Sequence, residues 1–220
     1  MISEERIAVF IRSFERPKSQ LMEEIRKEAR AQGVPIIRPE TEPLLSFFAG
    51  LLKPERILAV GTAVGYSALL LREASPKGVK ITTIENYAPR IEKALENFRR
   101  AGAEGEITLL QGDADELLKT LQERYDLIFM DAAKAQYIHW LPEVKRLMHA
   151  GSVLISDNIL QEGDILESKF AVERRDRTIH KRMREYLYEL THDPGLETVI
   201  LPLGDGVSVT MKKERNDEET

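Results

Sequence analysis

The chain contains no cysteine among its 220 residues. That removes disulfides, thiolate metal ligands and cysteine nucleophiles together. No apolar run approaches the length needed to cross a bilayer. The opening stretch, "MISEERIAVFIRSFERPK", carries acidic residues and no long apolar centre, so it does not read as a secretory signal. Internal repeats and low-complexity linkers are also missing. An excess of positive charge is absent too: the formal net charge is -5, which argues against whole-surface attraction to nucleic acid but leaves room for a local basic patch. What is present, 42% hydrophobic and 31% charged residues, suits one globular cytoplasmic domain with a sizeable core. The end, "KKERNDEET", reads as a solvated charged tail.

Residues 1–52 read as helices. "SEERIAVFIRSF" and "SQLMEEIRKEARAQ" carry apolar residues at helical spacing, and "RPETEPLLSFFAGLL" opens with proline and acids suited to a first turn. From Arg56 the pattern alternates between strand and helix. The expected strands are "RILAVG", "KITTIE", "EITLLQG", "YDLIFMD" and "GSVLIS". Between them lie helices at 66–74, 88–102, 114–124 and 137–149. A long charged helix is expected over about 167–191, and "LETVILPL" and "GVSVTMKK" close the chain as strands around a "GDG" turn. Repeated β-α units with short apolar strands imply an α/β fold, a mostly parallel sheet with helices on both faces. Ligands bind such sheets beyond the carboxyl ends of the strands. Gly61, Glu85, Asp113, Asp131 and Asp157 all fall at or just past those ends, so one crevice is expected to collect them.

Two apolar strands finishing in Asp131 and in Asp157–Asn158 need a reason, because buried charge is expensive unless paired or metal-bound. An Asp after a strand is often a turn former or helix cap. Two neighbouring strand ends carrying three oxygen donors favour a hard cation, Mg²⁺ with Mn²⁺ or Ca²⁺ as alternatives, over Zn²⁺. In "VGTAVGYSA" the glycines allow a tight turn and close approach of a ligand to a helix N-terminus. The spacing is not that of a dinucleotide site. With Glu85 placed for ribose hydroxyls and "GDAD" for an adenine, S-adenosylmethionine fits.

"AVGTAVGYSA", "TIE", "GDA", "FMDAAK" and "ISDN", spread over residues 34–211, together resemble the ordered motifs of the metal-dependent O-methyltransferases related to catechol and caffeoyl-CoA methyltransferases. The resemblance implies a Rossmann-like class I methyltransferase fold with a seven-stranded sheet over 56–211, helices over 1–52 and a tail over 212–220. It implies that Ile37, Gly61, Ser67, Glu85, Asp113, Ala114 and Asp131 line the cofactor site, and that Asp131, Asp157 and Asn158 bind the metal. Lys134 of the "DAAK" motif would take the substrate proton or stabilise the oxyanion. The family usually has an acid where this chain has Ala59, which implies an altered grip on the methionine end of the cofactor and is the one point in favour of a non-catalytic binding protein. A homodimer is also implied.

The stretch "ESKFAVERRDRTIHKRMREYLYEL" concentrates cations in an acidic chain: Arg174, Arg175, Arg177, Lys181, Arg182 and Arg184, with Lys169 before them. A solvated helix with internal ion pairs is the plain reading. Arginine also suits phosphate contacts and stacking on bases, and the stretch should overhang the mouth of the site. This stretch, "VPII" and "PLGDGVSVTMKK" are similar to the bacterial tRNA 5-hydroxyuridine methyltransferases. That similarity implies methylation of 5-hydroxyuridine to 5-methoxyuridine at the wobble position, with the tRNA anticodon loop as partner. A small catechol-like acceptor is the alternative.

Overall fold

The structure is a computed structural model and describes residues 6, 9–11, 13–14, 17–168 and 170–214. Much of the helix expected over 3–14, Lys169 and the tail from 215 lie outside the described residues.

The first helices with described bounds are α1 (Gln20–Ala31) and α2 (Glu42–Leu52). There follow β1 (Arg56–Val60), α3 (Tyr66–Ala74), β2 (Lys80–Glu85), α4 (Ala88–Arg100), β3 (Ile107–Gln111), α5 (Ala114–Thr120) and β4 (Tyr125–Met130). The second half holds α6 (Tyr137–Leu147), β5 (Met148–Asp157), a short 3₁₀ turn (Gln161–Leu166), α7 (Arg177–His192), β6 (Leu196–Leu201) and β7 (Val207–Lys212). The seven strands form one sheet in the order β3-β2-β1-β4-β5-β7-β6. Strands β1 to β5 pair in parallel, and β7 runs antiparallel to both neighbours. The order reverses between β1 and β4, and crevices for ligands open at such switch points. None of the described helices is long and apolar enough to cross a membrane.

Alternation along the strands sends successive side chains to opposite faces. Ile57, Leu127 and Phe129 pack against α1 to α4 through Ile25, Leu45, Leu69 and Phe98. Leu58, Ile128 and Met130 pack against α5 to α7 through Leu118, Val144, Met183 and Tyr186. Each such side chain contributes roughly 1.5–3 kcal/mol by leaving water.

Several expected boundaries move, three of them for visible reasons. The helix expected over 114–124 stops at Thr120, because Arg146 on α6 reaches across to take the carbonyls of Leu118 and Leu121. Strand β5 begins at Met148 rather than 151, tied to β4 by Ser152, whose hydroxyl donates to Tyr125 O and accepts from the His149 amide. The charged helix expected from 167 begins only at Arg177, so Arg174 and Arg175 lie in the loop before it.

Candidate active site

At the carboxyl ends of β1, β2, β4 and β5 lies a cavity of about 1150 Å³. Ile37, Gly61, Ser67, Glu85, Asp113, Ala114, Asp131, Lys134 and Asn158 all line it. Gly61 is there for a steric reason. Its φ is +99°, and a Cβ would sit 2.1 Å from the Asp131 carbonyl oxygen. The next glycine, Gly65 at φ +83°, lies against the Phe98 ring and starts α3. Asn97 on α4 donates to the Val64 carbonyl at 2.9 Å and braces the same loop.

Glu85 uses its carboxylate to shape the crevice. One oxygen accepts from Ala63 N at 2.9 Å, the other from Asn86 N at 3.1 Å and Tyr87 N at 3.0 Å. Asp113 caps α5 by accepting from Asp115 N. Ala59 is buried within β1, paired with Thr83 and Phe129, and is not part of the cavity lining. Tyr66, also on the lining, accepts from Arg26, which pairs with the buried Glu42 at 2.7 Å. Burial pushes the Glu42 carboxyl up even with Arg26 and Lys18 beside it. This polar cluster fixes α1 and α2 to the first turn of α3.

The strand ends of β4 and β5 carry the most unusual electrostatics. Asp157 is fully buried and lies behind the lining rather than on it. Its Oδ1 accepts from Asn158 N at 2.8 Å, and its Oδ2 has no hydrogen-bond partner. Burial, with the Asp131 charge adding to it, pushes its pKa up to about 6. Asp131 is held by Lys134, whose Nζ lies 2.8 Å from its Oδ1. Burial pulls the Lys134 ammonium down, but Tyr137 and Asp131 overcome that and hold it above its ordinary value. The pairing with Asp131 thus favours the ammonium form of Lys134.

The Tyr137 hydroxyl joins the two strand ends. It accepts from Lys134 Nζ and Ala132 N, both at 3.1 Å, and faces the carbonyl of Met130 at 3.1 Å. Trp140 is buried yet also lines the cavity, and its indole nitrogen has no hydrogen-bond partner. Sequence reasoning missed Tyr137, Arg38, Asp205 and Glu162 at this site. A tyrosine at helical spacing reads as core, and the other three sit in short polar turns with no motif.

Among the described residues no three His, Cys, Asp or Glu side chains gather as a metal group. The donor set is two carboxylates and the amide of Asn158, all oxygen, which is chemistry for Mg²⁺, Mn²⁺ or Ca²⁺. The orphaned, buried Oδ2 of Asp157 fits that group, since such an atom is costly without a partner.

The basic stretch is not part of the lining. Arg177, Arg182 and Arg184 are turned to local work, donating to the carbonyls of Val172, Ala135 and Ile165. Arg182 thereby reaches the loop that carries Lys134. Arg174, Arg175 and Lys181 are exposed, with Arg175 beside Glu173 and Asp176, and Lys181 beside Glu185. The cavity lining includes none of the basic residues expected to overhang its mouth.

The chain matches the O-methyltransferase family model over residues 12–213. It belongs to the O-methyltransferase family. The match spans both crevice-lining halves of the sheet. The chain is 27% identical over 199 residues to the caffeoyl-CoA O-methyltransferase of Stellaria longipes, covering 87% of this chain and 83% of that one. It is 30% identical over 141 residues to the catechol O-methyltransferase of Niastella koreensis, covering 61% and 64% of the two chains. The SAH-bound Podospora anserina methyltransferase PaMTH1 superposes with a TM-score of 0.86 at 25% identity, covering 97% and 98%. The fold is that of the class I methyltransferases that use S-adenosylmethionine.

Proposed function

We propose that this O-methyltransferase uses S-adenosylmethionine and a divalent cation, Mg²⁺ in the first instance, to methylate 5-hydroxyuridine to 5-methoxyuridine at the wobble position of a tRNA anticodon loop. The observation that carries the cation in this reading is the partnerless Asp157 oxygen, buried beside Asp131 just behind the crevice lining. Family membership and the crevice over β1 to β3 support the cofactor: Gly61 permits close approach of a ligand to the backbone, and Asp113 with Ala114 closes the far end.

Methyl transfer to oxygen needs an oxyanion in line with the sulfonium methyl. A divalent cation, when bound, supplies the Lewis acidity that makes a hydroxyl nucleophilic at neutral pH. Asp131, Asp157 and Asn158 would hold it. Lys134, paired with Asp131 and the Tyr137 hydroxyl, would stabilise the developing negative charge, with the hydroxyl proton passing to water and S-adenosylhomocysteine left as the methyl moves to oxygen. Tyr137 keeps the β4 and β5 ends together while the charge shifts. In 5-hydroxyuridine the 5-hydroxyl adjoins the 4-carbonyl, so the base offers the same two-oxygen edge as a catechol. An unpaired anticodon base is splayed into a pocket at modest cost. The exposed Arg174, Arg175 and Lys181 supply phosphate contacts. The apolar side chains of Val9, Phe10, Ile11 and Phe14 are exposed on the single chain, which supports a homodimer.

A second reading, a small catechol-like acceptor, is favoured by the absence of the basic stretch from the cavity lining. One experiment separates the two. The protein is incubated with S-adenosylmethionine, Mg²⁺ and tRNA lacking 5-methoxyuridine, and the digested nucleosides are weighed, with Asp157→Ala as control. A 5-methoxyuridine peak that needs Mg²⁺ and Asp157 is expected. Methylation of a catechol with no change in any nucleoside would overturn the RNA substrate and keep the site.

A further inference from the structure

After β5 the chain runs through a strained segment. Asn158, Gln161, Glu162 and Gly163 stand at φ +55°, +50°, +54° and +96°. Glycine adopts this region freely and asparagine tolerates it. For Gln and Glu it costs on the order of 1 kcal/mol or more each and persists only where the surroundings over-determine it.

The turn between β6 and β7 provides that constraint. Asp205 is buried, and its Oδ1 accepts from Glu162 N at 2.6 Å. Its backbone carbonyl accepts from Leu160 N at 2.9 Å, and the Gly206 carbonyl accepts from Ile159 N at 3.1 Å. Three amides of the strained segment are thus fastened to two residues of one turn. The contact is close because residue 206 is glycine: at φ +77°, a Cβ there would lie 2.3 Å from Leu160 Cγ and 3.1 Å from Ile159 Cγ1. The first residue of the fastened segment is Asn158.

We propose that Asp205, seated by Gly206, is a positioning residue. It latches segment 158–163 in its left-handed conformation and thereby holds the Asn158 amide beside Asp157, in the orientation a divalent cation requires. The proposal rests on the reading of Asp131, Asp157 and Asn158 as cation ligands. A carboxylate suits the task because a charge-assisted bond to a backbone N–H is stronger than a neutral one. Supporting residues of this kind, when lost, weaken metal binding without touching the metal.

The test uses the full chain saturated with SAH and Mn²⁺ as the probe, titrated by electron paramagnetic resonance, with amide exchange read over 159–166. Asp205→Ala is expected to raise the Mn²⁺ Kd about tenfold or more, and Asp205→Asn, which keeps a neutral acceptor, about threefold. The Leu160 and Glu162 amides should exchange faster in both, in the same order, while exchange in β1 to β4 stays at wild-type values. Should the alanine variant not fold, the asparagine variant decides, because a purely structural role would lower its Tm without moving the Mn²⁺ Kd. Unchanged Mn²⁺ affinity in the folded variants overturns the latch. Absence of Mn²⁺ binding by the wild type, with SAH still bound, overturns the cation reading itself and this role of Asp205 with it; the two failures differ in which protein loses the metal.

Discussion

Asp157 gives one carboxylate oxygen to the Asn158 amide and leaves the other buried without a donor. Its pKa of about 6 in the fold lies above the ordinary 3.8. With chelator present, the native state therefore keeps a proton that the unfolded chain has released. Stability from this group is full below about pH 4 and is lost as pH rises through about 6, a difference of about 3 kcal/mol. Asp157→Asn should flatten that slope and raise the Tm at pH 7.5 in chelator, while abolishing Mg²⁺-induced stabilisation. A variant less stable than wild type under those conditions would show that the buried carboxylate is otherwise compensated. Gly61→Ala is expected to act in the opposite sense. Its Cβ meets the Asp131 carbonyl at 2.1 Å, and at φ +99° the backbone is strained for any L side chain. Destabilisation of about 1–3 kcal/mol in urea unfolding is expected, with loss of SAH binding in calorimetry.

Residues 167–168 and 170–176 are held by isolated turns, such as Ala171 N to Ser168 O and Asp176 N to Glu173 O, whereas α7 is continuous and buries Met183, Tyr186 and Leu190. Native-state trypsin should cut after Arg174 and Arg175 while the bonds after Arg182 and Arg184 survive, as read by mass spectrometry; equal cleavage on α7 would mean the helix starts earlier or opens readily. The start of α7 was hard to see in the sequence because charge is continuous across it and only the apolar period from Met183 onward marks the helix. Strands were easier. "RILAVG", "KITTIE" and "YDLIFMD" stand out as runs bounded by polar residues; the structure keeps the second residue for residue and ends the other two one residue sooner. The carboxylates at their ends were legible for the same reason, since a charge closing a buried strand needs an explanation. Tyr137 and Asp205 were not, because their roles come from contacts made across 20 and 43 residues of chain.

On the molecule as a whole, a net charge of -5 coexists with exposed Arg174, Arg175 and Lys181 in one stretch of the chain. For an RNA substrate this division guides approach: repulsion over most of the surface and attraction at that stretch. Arg174→Glu with Arg175→Glu should weaken tRNA binding and lower the slope of log K against log salt by between about 1 and 2, leaving SAH affinity unchanged. A slope equal to that of the wild type would place the RNA elsewhere or point to the small acceptor.

Strand β7 lies between β5 and β6, so the sheet is completed by the last of its strands in chain order. The order of synthesis then matters. When the ribosome has delivered residues as far as β5, strands β1 to β4 have all their neighbours, but β5 has an open edge and the segment after Asn158 lacks its partners. Only arrival of the β6–β7 hairpin closes that edge and brings Asp205 to its place. The crevice ends of β1 to β4 can thus form before the segment after β5 is fastened.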